Sequence, residues 1–174
     1  MTFAKRLEPS GREDDLADGP AFASRLVPYS RELAFEQLAK VPAELQQRVL
    51  LFDIWTNNHD RFLTEKGGNV NLLLDQHDEL VVIDHNLAFD DTPGDFARHV
   101  FSHQREKLKD LEVQARYQTL METALEEWDD IIDLIPEEWR FVDPVEQTLP
   151  IIPDPDTLLY YLQRLREASF WSAP

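Results

Sequence analysis

At 174 residues the chain has the length of about one domain, enough to bury a sizeable core. Its 43% hydrophobic content with four Trp argues against wholesale disorder, and the lack of Cys excludes disulfide scaffolds, thiolate metal sites and cysteine nucleophiles together. Acidic residues outnumber basic ones 34 to 17, a formal net of −17, so the surface repels a polyanion and nucleic acid is not an expected partner.

No apolar run approaches the roughly 18–20 residues of a membrane-spanning helix, so no membrane partner is expected. Charged and polar residues follow Met1–Lys5 at once, with no apolar signal core, and a cytoplasmic location is the default expectation. An acidic surface most simply means solubility; a basic protein partner or a cation-dependent site is the other reading.

In chain order, residues 1–20 carry many charges broken by Pro9, Gly11, Gly19 and Pro20 and read as a mobile leader, leaving 21–174 as the domain. Ser30 as an N-cap, followed by Leu33, Phe35 and Leu38, predicts a helix over 30–39. Over 42–56 the pattern opens with Pro42 and turns apolar on nearly all sides from Val49, which predicts a buried central helix. A polar loop over 57–69 follows. Two short apolar runs, Leu72–Leu74 and Leu80–Ile83, flank five polar linking residues and predict a β-hairpin.

Farther on, Leu108, Leu111, Ala115, Met121, Leu125 and Trp128 fit one face of a helix over 106–128, and 129–134 continues it until Pro136. Four prolines in 141–155 suggest an extended strap. Asp154-Pro155 then starts a last helix striped by Leu158, Tyr161, Leu162 and Leu165. The expected class is α+β, mostly α.

The informative stretch is Phe52–Phe89, FDIWTNNHDRFLTEKGGNVNLLLDQHDELVVIDHNLAF. Asp60 follows the buried helix and Asp84 ends the second strand, so two acidic residues bracket the hairpin, while Asn69 and Asn71 lie where its first strand begins. Phosphoryl transfer uses such groups: one carboxylate orients the nucleophile's proton, and a second carboxylate with an amide oxygen holds Mg²⁺ against the phosphates.

A helix, then N-x-D-R, then Asn-x-Asn-Leu-Leu, then a strand ending I-D-H resembles the HipA-like kinases, relatives of the protein-kinase-like and lipid-kinase-like phosphotransferases. The resemblance implies a kinase-like C-terminal lobe with a short catalytic-loop hairpin, using ATP and Mg²⁺. It implies Asp60 as catalytic base or orienting carboxylate, Asp84 as principal Mg²⁺ ligand and nucleotide-binding residue, and Asn69 or Asn71 as the asparagine completing the metal site. It covers about 40 residues firmly, with 19–25 a weaker match to the segment leading into the large lobe.

Three departures stand out. The loop has gained residues around 65–68, which leaves both asparagines open. Asn86 follows Asp84-His85 where relatives often have Gly, and Asn tolerates the positive φ such a turn asks for. Third, only some 40 residues precede the buried helix, with no Gly-rich loop and no Lys-bearing strand of the kind a nucleotide lobe supplies. The N-terminal lobe is therefore expected to be missing or reduced, and a complementing chain or another protein partner is expected to supply it. The alternative is a non-catalytic, pseudokinase-like module that binds a protein partner.

Plainer readings stand beside these. Asp60 between His59 and Arg61 reads as a loop ion pair, or as a His-Asp phosphohydrolase dyad that needs further His ligands from His77, His85, His99 or His103. His99 and His103, spaced i, i+4, read as a solvated polar face in preference to a metal site. Asn57 and Asn58 cap the helix or brace the loop. Asp53, on an otherwise apolar helix, needs a partner if buried, and Arg61 is the candidate. Asp90, Asp91 and Asp95 read as an exposed acidic turn.

Overall fold

The computed structural model describes residues 23–141 and 153–172; the expected leader and most of the expected strap lie outside them. The fold is α+β, about half helical with small antiparallel sheets. No helix among the described residues is long and apolar enough to cross a membrane. The chain divides into two compact units. Leu26–Trp128 and Pro155–Pro174 make up the larger, which holds the candidate site. In the smaller, Arg140 Nη2 donates to the carbonyl oxygens of Ile132 (3.1 Å) and Ile135 (3.4 Å).

Helix α1 (Ala43–Thr56) is the centre of the larger unit. Val49, Leu50, Leu51, Ile54 and Trp55 are buried on several sides of it, as the all-round apolar pattern predicts. Asn57 ends it in the left-handed region at φ 58°, a conformation Asn accepts more readily than most residues. Beyond it, helix α2 (Leu111–Glu126), 3-10 segments Ser102–Lys109 and Arg164–Arg166, and helices α4 (Pro155–Gln163) and α5 (Ala168–Ser172) contribute Leu108, Tyr117, Met121, Leu162, Leu165, Phe170 and Trp171 to the same core. A short helix α3 (Trp128–Asp133) follows α2. Arg164 Nη2 donates to the carbonyl oxygens of Ile54 and Trp55, and Trp55 Nε1 to that of Leu162 (2.8 Å), so α1 ends in contact with the C-terminal helices.

Strands β4 (Leu72–Leu74) and β5 (Leu80–Val82) form the expected hairpin, with Leu72 opposite Val82 and Leu74 opposite Leu80. Asp75 Oδ1 closes its turn by accepting from the N–H groups of His77 (2.8 Å) and Glu79 (2.9 Å).

The helix expected over 30–39 does not form. Arg31–Glu32 is strand β1, antiparallel to β4, and a 3-10 helix, Phe35–Lys40, follows. Pairing on the open edge of β4 outweighs local helical preference. Leu33 extends the pairing through its N–H to the Leu72 carbonyl (2.9 Å) and is buried, while Arg31 ion-pairs with Asp78 in the hairpin turn.

Two further expectations need correction. The loop over 57–69 contains a second hairpin, β2 (Phe62–Thr64) with β3 (Gly67–Asn69). Gly67 sits at φ 103°, and a Cβ on Gly68 would lie 2.3 Å from the Phe62 carbonyl oxygen, so the glycine pair permits the tight return. The helix expected over 106–128 is broken at Asp110, whose carboxylate caps α2 by accepting from the N–H groups of Glu112 (2.9 Å) and Val113 (3.2 Å). Leu111, counted on the apolar face, is instead exposed at the first turn.

Candidate active site

The local order of the chain after α1 sets the site. Asn57 turns the backbone out of the helix, and its side chain donates to the carbonyls of Asp90 (2.6 Å) and Thr92 (2.9 Å) while accepting from Gly94 N–H (3.0 Å). It both caps the helix and fastens the segment after Asp84 against the loop that carries Asp60. Phe89 N–H adds a bond to the Thr56 carbonyl (2.6 Å).

Asp53, Asn58 and Arg61 are fully buried. Asp53 Oδ1 accepts from Asn58 Nδ2 (3.0 Å), and Oδ2 from Arg61 Nε (2.8 Å) and His99 Nε2 (2.9 Å). Burial alone would raise the Asp53 pKa. The hydrogen bonds from His99 and Arg61, with the charge of Arg61, outweigh that and hold the carboxyl below its ordinary range. The expected pairing of Asp53 with Arg61 is thus present, and it uses only one edge of the guanidinium.

The rest of the fork reaches across the site. Arg61 Nη1 donates to the carbonyls of Val70 (3.3 Å), Asn71 (2.5 Å) and Ile83 (3.2 Å), and Nη2 to that of Asp84 (3.4 Å). Those four carbonyls lie at the open end of the β4–β5 hairpin, where Ile83 N–H also bonds the Asn71 carbonyl (3.1 Å). One buried cation therefore ties the loop carrying Asp60 to the backbone of both Asn71 and Asp84.

Asn71 and Asp84 each hold a left-handed backbone, at φ 47° and 54°. Such conformations are costly for residues other than Gly and persist where surrounding contacts impose them; here the contacts are those of Arg61. Asn86 does not take the positive φ expected of it; Asp84 and Phe89 (65°) do, and Asn86 N–H donates to Asp84 Oδ1 (3.3 Å). Asp84 is exposed, and the following His85 packs edge-on against Phe52 of α1, with ring centroids 5.4 Å apart.

The two asparagines are placed differently. Asn69, at the end of β3 and opposite Phe62, donates through Nδ2 to Asp60 Oδ2 (2.9 Å). Asn71 sits beside Asp84 at the hairpin end, and its Nδ2 is buried with no hydrogen-bond partner. Asp60 Oδ1 is likewise buried and unpartnered, which leaves it an acceptor without a donor.

The plainer readings fare unevenly. Among the described residues no ion pair involves Asp60; Arg61 turns inward to Asp53, and His59 Nε2 approaches Asp90 Oδ1 at 3.8 Å. The phosphohydrolase arrangement is not assembled, since His85 packs edge-on against Phe52 and His99 bonds Asp53. Nor do His99 and His103 form a solvated face: His99 is buried while His103 is exposed. Burial lowers the His99 pKa, against the opposing hydrogen bond and charge of Asp53. Of the acidic turn, Asp91 and Asp95 are exposed; Asp90 is half-buried and accepts from Thr92 N–H (2.6 Å).

Sequence reasoning missed two features, the role of His99 and the reach of the Arg61 fork, while the expected capping and bracing by Asn57 are both present. His99 lies 46 residues from Asp53, and the only signal available was a His between the apolar residues Phe96, Val100 and Phe101.

Among the described residues no group of three or more His, Asp or Glu side chains is arranged to hold a metal. The side chains at the hairpin end that offer oxygen donors of the hard kind are those of Asp84 and Asn71.

No curated protein and no solved structure matches the chain. The family model described as HipA-like kinase matches residues 4–174, and the chain therefore belongs to the HipA-like kinases.

Proposed function

We propose that the chain is a kinase-like C-terminal lobe acting as a Mg²⁺- and ATP-dependent phosphotransferase on a hydroxyl acceptor. Asp60 is the orienting carboxylate or base, Asp84 the principal metal ligand, Asn71 the asparagine that completes the metal site, and Asn69 the partner that orients Asp60. The observation that carries this reading is the Arg61 fork, which joins the Asp60 loop to the carbonyls of Asn71 and Asp84.

The donor set suits the cation. Mg²⁺ takes hard oxygen ligands, is commonly held by one or two protein groups with substrate phosphates, and supplies charge neutralisation on the transferring phosphoryl group. Asp84 and Asn71 are such groups at one hairpin end. Asn71 lies at the same hairpin end as Asp84, whereas Asn69 orients Asp60 through Nδ2, which favours Asn71 as the ligand. Asp60 Oδ1, unpartnered, is the acceptor available for the attacking hydroxyl's proton. The nucleotide lobe is supplied by a complementing segment or a partner chain.

The second reading is a non-catalytic module that keeps the kinase-like lobe to bind a protein partner.

Calorimetric titration of ATP with and without Mg²⁺, on the wild type and Asp84→Asn, separates the readings. Binding that needs both Mg²⁺ and Asp84, together with transfer lost in Asp60→Ala while binding survives, supports the enzyme. Full transfer activity in both variants sinks the assignment. Absence of nucleotide binding at millimolar ATP, alone and with candidate lobe-supplying partners, favours the module.

A further inference from the structure

His99 caps the 3-10 helix Phe96–Arg98 and is buried, at 4% exposure, with the Phe96 and Phe101 ring centroids 6.5 and 6.0 Å from its own. Its protonation pattern follows from its partners. Phe101 N–H donates to Nδ1 (3.0 Å), so Nδ1 carries no proton, and the single ring proton sits on Nε2, which donates to Asp53 Oδ2 (2.9 Å). Asp53 Oδ2 is shared between this donor and Arg61 Nε.

We propose that His99 is a positioning residue for the site: by fixing Asp53 it fixes where the Arg61 fork points, and through the fork it holds the backbone at Asn71 and Asp84. The position needs a polar ring for two partners, Asp53 Oδ2 and the Phe101 N–H; an apolar side chain would leave the carboxylate oxygen without one of its donors and the amide without its acceptor.

The charged groups bearing on the ring are Asp53 from α1 and Arg61 from the loop. With a neutral imidazole the cluster has balanced charge. A proton on Nδ1 would face the Phe101 N–H, another donor, and leave a net positive charge in the interior. The ring must then shift, Asp53 loses the geometry it shares with Arg61, and the carbonyls at the hairpin end are held less firmly. The positioning itself is independent of the phosphotransferase reading; only its effect on nucleotide binding rests on that reading.

The test is hydrogen exchange at the Ile83 amide, bonded to the Asn71 carbonyl, against the Leu50 amide in the middle of α1. Both are followed from pH 8 to pH 5 and corrected for intrinsic exchange, in the wild type and in His99→Gln, which offers Asp53 a neutral donor at every pH. The expected result is a fall of about tenfold in Ile83 protection in the wild type, the factor equivalent to about 1.4 kcal/mol. Leu50 protection changes much less, and the Ile83 profile is flat in His99→Gln. Equal losses at Ile83 and Leu50, or identical profiles in the two proteins, would overturn the proposal. If His99→Gln does not fold, the wild type is compared with His85→Gln instead: an Ile83 profile that keeps its fall keeps the loss at His99, and a flattened one overturns the proposal. Mg²⁺-ATP affinity measured on the same samples should weaken in parallel. A wild type that binds no nucleotide at any pH counts against the phosphotransferase reading, while the exchange profiles still decide the role of His99.

Discussion

Arg61 Nε lies 2.8 Å from Asp53 Oδ2, with both side chains fully buried. Breaking such a pair from one side leaves an uncompensated interior charge, which typically costs about 3–5 kcal/mol. Lys at position 61 keeps the charge but not the planar fork, so it can satisfy Asp53 or the hairpin carbonyls, not both. Arg61→Lys is therefore expected to destabilise the protein by about 2 kcal/mol, within the range of a broken buried network, and to weaken Mg²⁺-ATP binding. Urea unfolding and calorimetry measure the two effects; an Arg61→Lys protein with wild-type values in both would mean that the fork carries no structural load.

The pH dependence has a definite sign. Burial holds the His99 pKa below its ordinary value, so as pH falls through about 6.5 the unfolded chain takes up a proton first. Stability should decline from there toward the lower folded pKa. Asp53, also depressed, adds a second loss as pH falls below about 3.9. His85, lowered chiefly by burial and by the charge of Arg61, acts in the same direction as His99. Unfolding midpoints taken between pH 8 and 5 should therefore slope downward, and the slope should be shallower in His99→Gln; an unchanged slope assigns the loss to other groups.

The asparagines are separable by kinetics. Asn71→Ala should raise the Kd for Mg²⁺-ATP by about tenfold, the effect of losing roughly one good hydrogen-bonding or ligand contact. Asn69→Ala frees Asp60 Oδ2 and should lower the transfer rate by about tenfold with Kd nearly unchanged. The reverse pattern would exchange their roles.

At Gly68 an added methyl group meets backbone, not a movable side chain. Gly68→Ala should displace β3 from β2 and carry Asn69 away from Asp60, at a local cost of about 1–3 kcal/mol. Exchange at the hairpin amides should rise and transfer should slow as in Asn69→Ala, with the core amides of α1 unaffected. Protection of the hairpin amides equal to wild type would show that the strand pair accommodates the methyl group.

The sequence disclosed most clearly what depends on continuous patterns. Helix α1 is apolar almost all round, and the β4–β5 hairpin shows two apolar runs joined by a polar link, so both were legible, as was the need of buried Asp53 for Arg61. What was hidden depends on contacts distant in the chain or on backbone geometry. Arg31-Glu32 looks helical until β4 offers an edge. The β2–β3 strands are too short and too polar to show a period of two, and their only mark is the Gly67-Gly68 pair. The choice between Asn69 and Asn71 turns on which of them reaches Asp60, a distance that no spacing in the loop encodes.

Both ends of the β2–β3 excursion are anchored independently of the strands between them. Arg61 is fixed by Asp53 and by Val100 N–H on its own carbonyl (3.0 Å), and Val70 is buried with its carbonyl under the same guanidinium. The stretch from Phe62 to Asn69 thus begins and ends at one clasp, and its contour length is decoupled from the spacing of Asp60 and Asp84. Asn69 pairs with Phe62 at the anchored base, so a change of length at the tip leaves it on the side that faces Asp60. This loop is therefore where the chain can acquire new surface beside the site without disturbing the residues that form it.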